Sequence, residues 1–349
     1  MLDIGISGLA FTAGSFMVGI TILAAIRSFV LPRNESVLLN IWVFQGIRKV
    51  FELLALLGRT YQQRDRMMAL YAPVALVALP IAWLGVVSFG YAFIYWALGE
   101  GDFERCYRIS NSSLLTLGSE EPSKHGLANI MSYSEATLGL LLLTLLISYL
   151  PTIYQAFSKR ELTVARLEMR AGPKASAVEL LLWLHEADLL KHGPQWQSWE
   201  EWFIEIEETH TSLPILSFFR SPQPGRSWVT AADLILDAAA LITSTLDTPR
   251  DPHMVMCFKA GTVAINRVSR FFEKSVSTKP LDTLAEQQTG NNPEWSDFQD
   301  AYRKMQEAGV PLLADEKAAW QKYQELRAHY KPAIEYMAKL TMAPAIEPI

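Results

Sequence analysis

Charge is scarce in this chain. Only 19% of its 349 residues are Asp, Glu, Lys or Arg, where soluble globular chains carry about 25%. The shortage is local: of 67 charged residues (31 basic, 36 acidic), 20 lie in the first 158 positions. An apolar front half is therefore followed by an ordinary polar back half. Cysteine is nearly missing as well. Cys106 and Cys257 stand far apart, which leaves no disulfide framework and no cysteine-based metal cluster. There is no basic excess, the net charge being −5, so nucleic acid is not an expected partner. No Walker A motif, no H-E-x-x-H and no G-x-G-x-x-G after a strand pattern occurs. An enzyme is not expected, nor an organic cofactor.

Long uncharged runs fill the front half. A bilayer core needs about 20 consecutive apolar helical residues, and three stretches supply them: Ile4–Ile26, Met67–Gly99 and Ala136–Ser158. Aromatic rings gather near the ends of the second and third (Tyr71, Tyr91, Tyr95, Trp96; Tyr133, Tyr149, Tyr154), where headgroup-level rings are favoured. The first run lacks the basic start of a signal peptide and reads as a retained span. Segment 27–66 holds seven basic residues (Arg27, Arg33, Arg48, Lys49, Arg59, Arg64, Arg66), whereas loop 99–130 holds three against five acids. Positive charge stays cytoplasmic. The sequence thus predicts a multi-pass plasma-membrane protein with its amino terminus outside and everything after Lys159-Arg160 inside.

Between the first two spans, Ile47, Val50, Phe51, Leu54 and Leu57 recur at helical spacing, with Gln45, Arg48, Lys49, Glu52 and Arg59 on the other face. That pattern suits an amphipathic helix over 35–66 lying on the cytoplasmic membrane surface. A fourth span is disfavoured by the adjacent pair Arg48-Lys49. Between the second and third spans, Asp102 is a candidate N-cap for a short helix over Phe103–Leu115, Gly118 breaks it, and Pro122 prevents immediate resumption. The order is span, short helix, T-L-G turn, carboxylates, span. Cys106 falls on the short helix and reads as packed.

This arrangement resembles the pore domain of the tetrameric potassium-channel superfamily, over roughly residues 35–160. The family's filter T-V-G-Y-G-D corresponds here to Thr116, Leu117, Gly118, Ser119, Glu120 and Glu121. Glu135 and, one helical turn later, Gly139 stand where the family has filter support and an inner-helix hinge. The resemblance implies an all-α membrane protein built as an outer helix (67–99), pore helix and filter loop (102–122) and inner helix (131–158). An N-terminal helix (1–34), the interfacial helix (35–66) and an all-α cytoplasmic domain (161–349) complete the chain. It also implies a homotetramer that conducts monovalent cations such as K+. Leu143, Leu146, Leu150 and Pro151 mark the cytoplasmic end of the inner helix as the candidate gate. For Glu135, a hydrogen bond into the back of the filter loop is expected over contact with an ion.

The departures from the family carry their own expectation. Filter carbonyls replace the hydration shell of potassium, and the family's second glycine allows a backbone conformation that other residues enter at a cost. Here that glycine is Glu120 and the bracing aromatic is Ser119, which argues against strict potassium selectivity. Around a fourfold axis Glu120 and Glu121 would form acidic rings suited to Ca2+ or Mg2+, Glu120 facing the axis more than Glu121. The alternative is a channel-like membrane sensor or scaffold that does not conduct and signals through its helical domain.

The back half reads as helices joined by Pro- and Gly-rich turns: 176–191, 196–208, 229–246, 253–276, 295–308 and 315–341, with a polar stretch over 277–294. His185-Glu186, and Glu205, Glu207 and Glu208 with His210, match no helical metal-ligand spacing and read as a solvated acidic face. The cytoplasmic partner or ligand of this half is not legible.

Overall fold

The computed structural model describes residues 4–29, 38–58, 60–123, 126–172, 176–190, 193–223, 225–247, 249, 251–275 and 295–344. The stretch 277–294 and the basic residues Arg33, Arg59, Lys124 and Lys174 lie outside them. Among the described residues all named elements are helical, and one isolated antiparallel bridge joins Leu246 to Leu312. Four helices are long and apolar enough to cross a membrane, the make-up of an all-α membrane protein. The chain forms two compact units, one from Met1–Leu53 and Leu70–Tyr154, the other from Leu54–Ala69 and Gln155–Ile349.

The first unit contains α1 (Ile4–Phe29), most of α2 (Leu38–Leu56), α4 (Tyr71–Ala97), α5 (Phe103–Leu114) and the front of α6 (Gly126–Ala171). Its packing inverts the soluble pattern. On α1 the small residues Ala10, Gly14, Thr21 and Ala25 are buried while Leu9, Phe16 and Leu23 are exposed. Lipid is as apolar as leucine, so helices in it associate through close backbone approach at small residues. Gly14 and Gly90 make that approach: a Cβ at Gly14 would lie 2.3 Å from the Gly90 carbonyl oxygen. A polar thread adds to it. Asn40 donates to Ser28 (2.5 Å) and accepts from the Trp83 indole (3.2 Å), joining α2 to α1 and α4.

The amphipathic segment differs from expectation in two ways. It is two helices, α2 and α3 (Tyr61–Ala69), broken at Gly58, whose carbonyl accepts from Arg64 Nε at 3.0 Å. Met67–Ala69 therefore belong to α3, and the outer helix begins at Tyr71. Of the pair Arg48 and Glu52, expected on a wetted face, Arg48 is buried and Glu52 half-buried, joined at 2.7 Å, while Trp42, Leu53 and Leu57 point outward. An apolar face turned outward is what a lipid-facing helix requires.

The second unit takes α3, the rest of α6, α7 (Ala177–Glu186), α8 (Pro194–Ser212), a 3-10 turn (Pro214–Phe218), α9 (Trp228–Thr245), α10 (Pro252–Ser275), α11 (Trp295–Glu307), α12 (Glu316–Ala328) and α13 (Lys331–Thr341). The single helix expected over 315–341 is two. Pro332 in the first turn of α13 lacks the N–H that continuation would need. By composition α9 could cross a membrane, but 83% of its apolar window is buried inside the fold. It is the core helix of this unit, packed by α7, α10, α12 and α13. The run Ala238–Ala240 lets its neighbours approach closely.

Four charges are buried against α9. Lys331 Nζ donates to both carboxylate oxygens of Asp233 at 2.8 Å and lies 3.5 Å from Asp237. Arg327 Nε donates to Asp237 at 3.0 Å, and the Tyr330 hydroxyl donates to the same oxygen. Burial works to raise Asp237, but Lys331, Arg327 and the Tyr330 bond outweigh it and hold the carboxyl below its ordinary value. Burial and the adjacent Asp237 charge push Asp233 up to about 6. The two signs give a pH profile. A carboxyl with a raised folded-state value favours the native state as pH falls through about 6, whereas a depressed one withdraws stability once pH falls below its unfolded value. Relative to an Asp233→Asn variant, which lacks this titration, the wild-type melting temperature should rise between about pH 7 and 5, a comparison that cancels the opposite contribution of the buried His210. Both proteins should melt lower below about pH 4. Asp237→Asn leaves Arg327 without its counter-charge and should lose about 3–5 kcal/mol at pH 7. A wild-type advantage over Asp233→Asn that shrinks from pH 7 to 5 would contradict this assignment.

Candidate functional site

The loop between α4 and α6 starts from a capped helix. Asp102 Oδ1 accepts the Arg105 N–H at 3.0 Å, opening α5. Cys106, Ile109, Ser110, Ser113 and Leu114 fall on one buried face, at the i, i+3, i+4, i+7, i+8 positions of a helix, and Glu104, Arg105 and Arg108 stay outside. At its end Leu117 N donates to Ser112 O (2.8 Å) and Thr116 N to Ser113 O (3.1 Å). That pair of bonds is a Schellman close, which places the intervening residue in the left-handed region. The residue there is Thr116, with φ +56°, where glycine is the usual occupant. A β-branched side chain at positive φ is an outlier that costs on the order of 1–2 kcal/mol. Gly118 follows at φ +66°.

From Leu115 to Ser119 the turn is exposed. Beyond it Glu120 folds back onto α5: its N–H donates to Ser112 Oγ (2.9 Å), and its carboxylate accepts from Arg108 Nε (3.3 Å). Arg108 also holds Glu104 at 2.7 Å. Glu121 is exposed. The far end of the loop is tied down by Glu100, a buried carboxylate that accepts from the backbone N–H and the hydroxyl of Ser123, both at 2.6 Å.

Glu135 is fully buried on α6. Its Oε2 accepts from the Tyr95 hydroxyl of α4 at 2.9 Å, and its Oε1 lies 2.5 Å from Ser110 Oγ of α5. The same Ser110 hydroxyl lies 2.9 Å from the Ser88 carbonyl of α4. One carboxylate thus joins three helices, at the middle of α5 and not at the filter-like turn. Gly139, one turn on, accommodates the end of α5: a Cβ there would lie 2.1 Å from the Leu114 carbonyl oxygen. The helix runs unbroken through Gly139 and Pro151, and here Gly139 is a point of close approach. Leu143 and Leu150 are exposed on α6, Leu146 is half-buried and Pro151 is exposed.

The structure therefore brings Glu135 and Gly139 against α5 and leaves Thr116–Ser119 uncovered. Sequence reasoning missed Tyr95, Ser110, Arg108 and Glu100. The Glu104–Arg108 spacing of four was a legible signal, as was a serine at the buried face of α5; nothing marked Glu100. Among the described residues no group of three or more His, Cys, Asp or Glu could hold a metal ion. Glu205 pairs with Lys159 and Glu207 with Arg267. His210 is buried, its Nδ1 on the Ile206 carbonyl (3.0 Å) and its Nε2 facing Arg160 (3.3 Å). Burial first, then the Arg160 charge, hold it well below the ordinary histidine value.

The Glu135 junction makes a graded prediction. Glu135→Ala leaves the Tyr95 hydroxyl and the Ser110 hydroxyl facing an apolar hole and should lower stability by about 2–4 kcal/mol. Glu135→Gln retains an acceptor and should cost less than half of that. Thermal melting of the detergent-solubilised variants compares them, and equal losses would remove the hydrogen-bond explanation.

Compared with protein family models, with curated proteins and with solved structures, the chain matches none.

Proposed function

We propose that the chain is a pore-loop cation channel: a homotetramer in the plasma membrane, amino terminus outside and second unit cytoplasmic. Each copy would contribute Thr116–Gly118 to a common axis. One observation carries this reading. α5 is a short helix fixed between α4 and α6, and its carbonyl end opens onto a strained turn that none of the described residues covers. A helix carboxyl end carries partial negative charge, and the turn adds unscreened peptide carbonyls, the ligands that dehydrated monovalent cations use. A strained residue in an uncovered turn stabilises no part of a monomer; strain of this kind persists at sites that work through their backbone. Further along α6, Leu143, Leu146 and Leu150 would line the inner mouth as its gate.

The acidic mouth needs a revised order. Glu120 is shared with Arg108, whereas Glu121 is exposed. Ca2+ or Mg2+ at the mouth would therefore meet Glu121 at least as readily as Glu120. The second reading, a channel-like sensor or scaffold that does not conduct, is favoured by that same Arg108–Glu120 pair, which draws the filter-like segment back onto its own helix.

Reconstitution of the full chain in liposomes under Na+ and K+ gradients tests the proposal, together with native mass measurement. Four copies and cation flux are expected. Thr116→Gly should raise the melting temperature, because the strain is relieved by about 1 kcal/mol, and should reduce flux by altering the turn. Glu121→Gln should weaken divalent block at least as much as Glu120→Gln. A dimer or monomer, or tetramers without flux, would overturn the channel reading, the latter in favour of the sensor.

A further inference from the structure

The second unit contains a small cavity bordered by three serines and two arginines. It measures about 20 Å³, room for one monatomic ion or one water molecule. Ser217, Arg220, Ser221, Arg226 and Ser227 border it, with Trp228. Ser227 is the N-cap of α9, its hydroxyl oxygen accepting the Val229 N–H at 3.2 Å, so the positive end of an 18-residue helix dipole faces the space. The Ser217 and Ser221 hydroxyl oxygens are buried and have no hydrogen-bond partner, and Ser217 itself is 1% exposed. A buried hydroxyl left unpaired costs about 1–3 kcal/mol, and two around one void call for something inside it.

The charges are arranged to match. Arg220 is ion-paired with Asp65 and donates to the Thr341 carbonyl at 2.7 Å; Arg226 is ion-paired with Glu168. Both arginines border the cavity, and neither carboxylate does. Each arginine is thus neutralised by a carboxylate that does not itself border the cavity. Ser217 is held in place from the other side: Arg160 donates to the Leu216 carbonyl (2.9 Å) and the Phe219 carbonyl (2.8 Å), and the Trp228 indole donates to the Ser217 carbonyl (3.2 Å). With its backbone bonded there, the Ser217 hydroxyl is left for the cavity.

We propose that this cavity is a binding site for a chloride-sized anion, ligated by the Ser217 and Ser221 hydroxyls, Arg220, Arg226 and the amino end of α9. A volume of about 20 Å³ suits a monatomic anion better than phosphate. Because Arg220 and Arg226 also grip Asp65, from the segment leading to α4, and Glu168, on α6, occupancy bears on how firmly those two segments are held. The site stands independently of the channel reading.

The test uses the full chain in detergent. Exchanging gluconate for chloride up to about 0.1 M at fixed ionic strength should raise the melting temperature by roughly 2–4 °C, with bromide acting like chloride and phosphate giving no shift. Ser217→Ala should abolish the chloride shift while leaving the melting temperature in gluconate unchanged or higher, since the orphaned hydroxyl is gone. Ser221→Ala should weaken the shift, and the chlorine NMR line broadening given by the wild-type chain should disappear in Ser217→Ala and diminish in Ser221→Ala. Equal melting in chloride and gluconate, or a Ser217→Ala protein that melts lower in both, would overturn the site in favour of a bridging water. If either variant fails to fold, absence of chlorine line broadening by the wild-type chain still decides against it.

Discussion

The carboxylate of Glu135 is the constraint on which the first unit depends. In a lipid-facing unit apolar contacts barely discriminate one helix arrangement from another, because lipid is as apolar as the helices. Polar groups discriminate, since each one left unpaired in hydrocarbon costs several kcal/mol. Glu135 can be satisfied only where Tyr95 of α4 and Ser110 of α5 meet on α6, and that single requirement sets the depth and rotation of α5. Gly139 then sets the distance, by admitting the carbonyl of Leu114 where any side chain would obstruct it. With those two fixed, α5 has to end where it does, and the Schellman close forces Thr116 into its strained conformation.

The second unit solves the same problem with formal charges. α9 is apolar enough to be mistaken for a span, and hydropathy alone cannot separate a membrane helix from a fully enclosed one. The aspartates Asp233 and Asp237 separate them. Burial of four ionised groups is tolerable only when every one is paired and hydrogen-bonded, which Lys331, Arg327 and Tyr330 provide. Those three partners straddle the break between α12 and α13. The break therefore serves the pairing: a straight helix over 316–341 would place residues 327, 330 and 331 on one face at fixed spacing, whereas the bend brings them around two carboxylates one helical turn apart.

What the sequence disclosed and what it hid follow from the range of the forces involved. Uncharged runs, an N-capping Asp102, and a glycine turn before Pro122 are local signals, and the spans, α5 and its end were read from them. The split at Tyr330 carries a local mark, Pro332, beside the tertiary bond from Tyr330 to Asp237, and the break at Gly58 is closed locally by Arg64 on the Gly58 carbonyl; both lay inside runs whose apolar spacing reads as one helix. The inverted α2 was missed for a different reason. Helical periodicity shows that two faces differ but not which one meets the solvent, and here the pair Arg48–Glu52 turned inward. At the candidate site, Thr116–Glu121 could be located from the motif alone, yet the direction of Glu120 depended on Arg108, two helical turns before the end of α5 and unrelated to the motif.

The division of the chain carries a mechanical consequence. Segments 54–69 and 155–171 belong to the second unit; the first leads into α4 and the second is the carboxyl end of α6. Each is held by a buried or half-buried arginine: Arg220 takes Asp65 from the first, and Arg160, on the second, is bonded to the Leu216 and Phe219 carbonyls. The α4–α5–α6 module is thus covalently bounded at both ends by segments of one folded unit. On the outgoing side the connection is continuous helix, with no break from Gly126 to Ala171. Continuous helix transmits rotation and displacement far better than a flexible linker does. Glu135, Gly139 and Arg160 thus stand on one uninterrupted helix, the first two in the unit that holds α5 and Arg160 in the unit that it anchors through the Leu216 and Phe219 carbonyls.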